Sequence, residues 1–138
     1  MLRWGGPTVP KTIVDPGWAW ARPYEYAQAV KAGQFLILSG QVPADGDGNV
    51  VGLGDIRAQA KQVFENIKVV LSTAGVTFDD LVEIVSYHVD MKDLGTVAEI
   101  KSQYIRREFP AWTAVGVTGL ALPGQLLEIK AVALLRGG

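Results

Sequence analysis

Only two stretches of this 138-residue chain carry an apolar repeat at helical spacing, and both are apolar on one side alone. In the first, Ile56, Ala60, Val63, Ile67, Val70, Leu71 and Ala74 recur at steps that share a helix face, with Asp55 as the cap and Gly75 as the stop. Arg57, Lys61, Glu65 and Lys68 fall mostly toward solvent. In the second, Thr96-Val97-Ala98-Glu99 has the spacing of a capping box, and Val97, Ile100 and Tyr104 form the inner stripe. Arg106 and Arg107 fall in its last turn, where the helix dipole favours cations, and Pro110 ends it. Two such helices can cover one face of one mixed sheet and no more.

The strands supply that sheet. Residues 26–30 and 34–40 read as a hairpin turning at Ala32-Gly33, and Leu81 to Asp90 as a third strand. Two more runs, from Phe109 to Val117 and from Leu127 to Val132, flank a turn at Pro123-Gly124. The order is β-β-α-β-α-β-β, an α+β chain forming a single domain over 1–138. Residues 25–136 form its core. Residues 1–24 read as an irregular arm broken by Gly5, Gly6, Pro7, Pro10, Pro16, Gly17 and Pro23. That arm still holds Trp4, Trp18 and Trp20, as a strap over the domain or as a lid on a pocket or a neighbouring subunit.

Strand alternation assigns the faces. Leu127, Ile129 and Ala131 share the face suited to helices, and Glu128, Lys130 and Val132 share the other. In the preceding run Val115 and Val117 point one way, and Trp112, Ala114 and Gly116 the other. The expectation is that Trp112 joins Glu128 and Lys130 on the helix-free face. An uncovered face carrying Val132, Leu134 and Trp112 is costly in water, and a closed oligomer is the simplest way to bury it. The 49% hydrophobic content fits either a well-filled core or such an interface.

Composition narrows the chemistry. Without cysteine there is no disulfide framework, thiolate nucleophile or cysteine metal site. One histidine, His88, cannot build a histidine-rich metal site in one chain. A net charge of −1 without a basic block argues against a nucleic-acid partner, and no stretch approaches membrane-spanning length. A cytoplasmic protein is expected. The Asp45–Asn49 loop lacks the length and terminal glutamate of a calcium loop, and Gly52-Leu53-Gly54 is too short to signal phosphate binding. Ser39 lies in no nucleophile motif.

Five segments, taken in order, resemble the Rid family (RidA, YjgF-like). They are Leu38-Ser39-Gly40-Gln41-Val42-Pro43, the helix from Gln59 to Lys68, Val89-Asp90-Met91-Lys92-Asp93-Leu94, Phe109-Pro110-Ala111, and Leu127-Glu128-Ile129-Lys130-Ala131. The resemblance spans about residues 26–135. It implies a chorismate-mutase-like fold and a homotrimeric barrel with helices outside and clefts between subunits. It also implies hydrolysis of small imines and enamines, such as 2-aminoacrylate, to a 2-oxo acid and ammonia, with no cofactor or metal. In the family a glutamate on the last strand holds the attacking water, which matches Glu128. The family serine matches Ser39, with Gly40 beside it, and the family tyrosine matches Tyr26. The family arginine that grips the substrate carboxylate is replaced by Trp112, which has one N–H donor and no charge. The family asparagine of the second helix has no clear counterpart; Lys101 or Ala98 falls nearby.

The resemblance therefore implies a Rid-type imine or enamine deaminase whose substrate choice is altered at Trp112, or a non-catalytic small-molecule or protein-binding trimer. Another cation could hold a carboxylate, with Lys130, Lys101, Arg107 and Arg22 as candidates. The RNA cleavage sometimes attached to this family is disfavoured by the acidic balance. Plainer roles stand beside these: Glu128 paired with Lys130, Trp112 as an interface anchor, and His88 as a satisfied core residue.

Overall fold

The apolar repeats resolve into two helices laid on one side of a six-stranded sheet in the computed structural model, which describes residues 10–136. Trp4, Gly5, Gly6 and Pro7 lie outside the described residues. The strands are β1 (Thr12–Val14), β2 (Ala29–Ala32), β3 (Phe35–Leu38), β4 (Leu81–His88), β5 (Ala111–Gly116) and β6 (Leu127–Leu134). The helices are α1 (Ile56–Thr73) and α2 (Leu94–Tyr104). The sheet runs β1-β2-β3-β6-β4-β5, and only β4 and β5 are parallel. A parallel pair needs a long crossover, and α2 supplies it.

α1 begins where its sequence says it should: the Asp55 carboxylate accepts the Ala58 N–H at 3.1 Å. Its apolar side buries Val63, Phe64, Ile67, Val70 and Leu71 against Leu36, Leu38, Leu127 and Ile129. α2 departs from expectation at both ends. A short 3₁₀ turn, Met91–Asp93, runs directly into Leu94, so Thr96 lies inside the helix and forms no capping box. Asp90 caps that turn instead, accepting the Lys92 N–H at 2.9 Å. The helix stops at Tyr104, well before Pro110, because Ile105 turns extended and buries itself in the core. Arg106 and Arg107 are therefore outside it, and Arg107 instead forks onto Asp79 Oδ2 at 2.7 and 3.0 Å.

The arm is not irregular throughout. β1 pairs antiparallel with β2 and buries Val14, and a 3₁₀ segment, Ala19–Tyr24, buries Ala21. Short, Pro-rich pieces of this kind carry no periodicity long enough to read from sequence. β2 starts at Ala29 rather than Tyr26, which leaves Tyr26 ahead of the strand.

Away from the helices, the register lines up Ile13, Val30, Ile37 and Val132 across four strands, with Phe35 beside Leu134. Ile13 is 61% exposed, Phe35 45%, Ile37 41% and Leu134 43%. A continuous apolar row left this open is uncommon on a lone domain. Among the described residues, no helix is long and apolar enough to cross a membrane.

Candidate active site

Glu128 stands on the helix-free side of β6, opposite Tyr87 of β4, while its neighbours Leu127 and Ile129 are buried under α1. The segment after β3 is bridged to β6 by reciprocal hydrogen bonds between Gln41 and Ile129, of 2.7 and 3.1 Å. This brings Gly40 against the Glu128 side chain. A Cβ at Gly40 would collide with Glu128 Oε2 and lie 2.6 Å from its Cδ, so a side chain there would push the carboxylate out of its place. Ser39, Gly40 and Glu128 form the polar floor of a cavity of about 280 Å³, and Tyr26 forms part of its rim. Trp20, Tyr24, Val42, Ala121 and Leu122 supply apolar walls. Ser39 Oγ donates to Ala27 O at 2.6 Å, which pins the serine to the start of the hairpin.

Four residues singled out from sequence, Tyr26, Ser39, Gly40 and Glu128, thus border one cavity. Trp112 and Lys101 do not. The parallel register sets Trp112 beside Ile84, a core residue, so its side chain lies on the helix-covered face, opposite to Glu128. The expectation of a shared face fails because β5 is an edge strand: its bulkiest apolar group fills the gap beside α2, leaving Val115 to the other side. The indole N–H donates to Ser86 Oγ at 2.8 Å, and Ser86 Oγ lies 2.7 Å from His88 Nε2. Lys101 Nζ sits 4.9 Å from the Trp112 ring centroid and 5.9 Å from that of Phe109, within cation–π range. Burial pushes the His88 imidazole below its ordinary 6.5, against an opposing pull from Asp93, and among the described residues its Nδ1 has no partner.

The other candidate cations divide similarly. Arg107 is engaged by Asp79. Arg22 lies 3.6 Å from Asp15 and borders a neighbouring hollow that shares Tyr26 and Ser39 with the Glu128 cavity. Lys130 lies two residues along the same strand face as Glu128. Among the described residues Glu128 makes no ion pair with it; Glu128 Oε1 instead accepts from Gln125 Nε2 at 3.3 Å.

A set of buried amides holds this geometry, and sequence reasoning gave them no role. Gln59 of α1 donates to Gly52 O and Gly124 O and accepts the Leu126 N–H, tying the 118–126 loop to the helix. Asn66, two turns on, donates to Val42 O and Ala44 O at 2.8 and 2.9 Å. Gln41 donates to Gln28 Oε1 at 3.0 Å. Buried amides must find partners, and here the partners are the backbones of the loops around the cavity. Gln59 and Asn66 sat inside a helical stretch, where amides on the apolar side were the available signal.

A one-sided α+β sheet with a carboxylate-floored cavity on its helix-free face defines a class of small proteins, and comparison with known proteins places the chain within it. The model of the family described as Endoribonuclease L-PSP matches residues 19–135. A RutC family protein of Pyrococcus horikoshii is 40% identical over 108 residues, covering 78% of this chain and 85% of that protein. The human 2-iminobutanoate/2-iminopropanoate deaminase is 36% identical over 110 residues, covering 79% of each. A Yersinia pestis protein of unknown function from the conserved Rid family superposes with a TM-score of 0.84 at 32% identity, covering 91% of this chain and 99% of that one. The chain belongs to the Rid/YjgF family, whose members include proteins named imine deaminases.

Proposed function

We propose that the chain is a cofactor-independent imine or enamine hydrolase that releases ammonia, with Glu128 as the group that handles water. The reading is supported above all by the meeting of Gly40 and Glu128 in one cavity with Ser39 and Tyr26. An imine carbon is already electrophilic, so catalysis needs a positioned water and a place for its proton. The Glu128 carboxylate takes a proton as water adds across C=N. Passed on to the imine nitrogen, that proton completes the carbinolamine, whose hydroxyl proton then moves through the carboxylate to the nitrogen as the C–N bond breaks and the C=O bond forms. One water is consumed and one ammonia leaves. Gln125 keeps the carboxylate turned toward the cavity.

Substrate choice differs from that of relatives with the arginine. The only donor of Trp112 is committed to Ser86, so it cannot grip a carboxylate. Within one chain, Trp112 and Lys101 lie behind the sheet from Glu128; if they reach substrate, they do so across a subunit seam. The exposed row from Ile13 to Val132 gives a homotrimer its reason, since copies pressed together bury it. The commitment of Trp112 also favours a second reading, a binding trimer without catalysis. Ammonia release from a panel of imines, lost in Glu128→Gln, supports the hydrolase; no release from any imine supports the binding trimer. Turnover of 2-aminoacrylate is expected to be slow, and fast turnover would refute the altered specificity.

A further inference from the structure

The walls of the Glu128 cavity come from two segments that the proposed chemistry does not use. One is the 3₁₀ segment Ala19–Tyr24, anchored by buried Ala21 and by Trp18, which packs on the core. It delivers Trp20 and Tyr24 to the cavity. Trp20 is seated closely on the 43–51 turn. A Cβ at Gly48, whose φ is +84°, would lie 2.9 Å from both Trp20 Cβ and Cγ, so glycine is what admits the indole. The other segment supplies Ala121 and Leu122 and is held by the buried Gln125, whose Oε1 accepts the Leu122 N–H at 3.1 Å. Among the described residues no lysine, arginine or histidine lines the cavity, and Glu128 is the charged group on it. At about 280 Å³ it lies near the lower bound of roughly 300 Å³ for small-molecule pockets. A three-carbon imine would leave most of that volume to water, and an imine that carries a flat ring would leave less of it.

We propose that the cavity selects imines bearing an aromatic or similarly flat apolar group, with Trp20 and Tyr24 as the residues that set this specificity. The proposal rests on the hydrolase reading and adds the substrate class to it. Aromatic faces held 4.5–7 Å apart attract beyond simple burial, and a wall built on a braced backbone loses little entropy in stacking. The reactive carbon is then presented to Glu128 at the floor.

The test uses the full chain and imines formed in situ from phenylalanine and alanine by an amino-acid oxidase, with carbonyl product measured. The expected result is a kcat/KM at least tenfold higher for the phenyl imine. Trp20→Ala should lower that value about tenfold more than it lowers the methyl imine's, and Trp20→Phe should restore most of the difference. Equal use of both imines, or equal loss of both in Trp20→Ala, overturns the proposal. Calorimetric titration with phenylpyruvate and pyruvate, the stable products, separates the two readings. If no imine is hydrolysed, the hydrolase reading fails. Tighter phenylpyruvate binding that is lost in Trp20→Ala then still supports the aromatic site, and equal binding overturns it.

Discussion

The two faces of the sheet at β4, β5 and β6 are built from alternate residues of the same strands, yet they do opposite things. On the covered face Trp112, Ser86 and His88 form a chain of polar contacts among buried apolar groups, roofed by α2 and Lys101. On the other, Glu128 has one amide partner and an open cavity beside a row of exposed apolar side chains. A residue on the first face is held by its neighbours; a residue on the second is left free to meet something from outside. The difference teaches that a motif position does not carry its role with it. Trp112, which the motif resemblance sets at a cation's position, is spent on packing in this chain.

The strongest way to break the contrast is Glu128→Gln. Loss of the water-handling carboxylate should lower ammonia release by roughly 10²–10⁴-fold, with the melting temperature nearly unchanged, since the side chain is not in the core. Steady-state ammonia assays and thermal melts at matched protein concentration check both parts. Trp112→Ala should do the reverse. Removing a half-buried indole and its hydrogen bond to Ser86 should cost about 3 kcal/mol of stability and should lower turnover far less than Glu128→Gln; urea unfolding measures the first. Gln59→Leu tests the bridge between the faces. It leaves Gly124 O and the Leu126 N–H without their partner, for a loss of about 2 kcal/mol, and it should loosen the Ala121–Leu122 wall, read as a raised KM.

How much of this was legible in sequence follows from what periodicity can carry. Ile56 to Ala74 recurred over five turns, so α1, its Asp55 cap and its buried side were readable. The alternation Leu127-Glu128-Ile129-Lys130-Ala131 likewise fixed the two sides of β6. β5 was not readable in the same way. Ala114 and Gly116 are too small to declare a face, and on an edge strand one large residue settles the matter through a contact with α2 that no local pattern encodes. Sequence sets the end of α2 too late because Pro110 is a visible stop, while the burial of Ile105 is visible only in three dimensions. The site was legible where the motif resemblance marks it, at Ser39, Gly40 and Glu128, and illegible where long-range amides such as Gln59 and Gln125 hold loops.

The smallest expected effect concerns pH. His88 has a lowered pKa, so below about 6.5 the unfolded chain binds a proton that the folded one refuses. The stability it contributes is complete above that pH and is lost as pH falls through the depressed folded value. His88→Gln should flatten that part of the acid limb in melting temperature against pH, and an unchanged slope would assign it elsewhere.

The central claim is that function belongs to the helix-free face. The most direct measurement is a crystal structure soaked with phenylpyruvate. The account expects the ligand in the Glu128 cavity, its carbonyl within hydrogen-bond reach of the carboxylate and its ring against Trp20. A cavity filled by another chain, or a ligand bound beside Trp112 under α2 with Glu128 untouched, would contradict it.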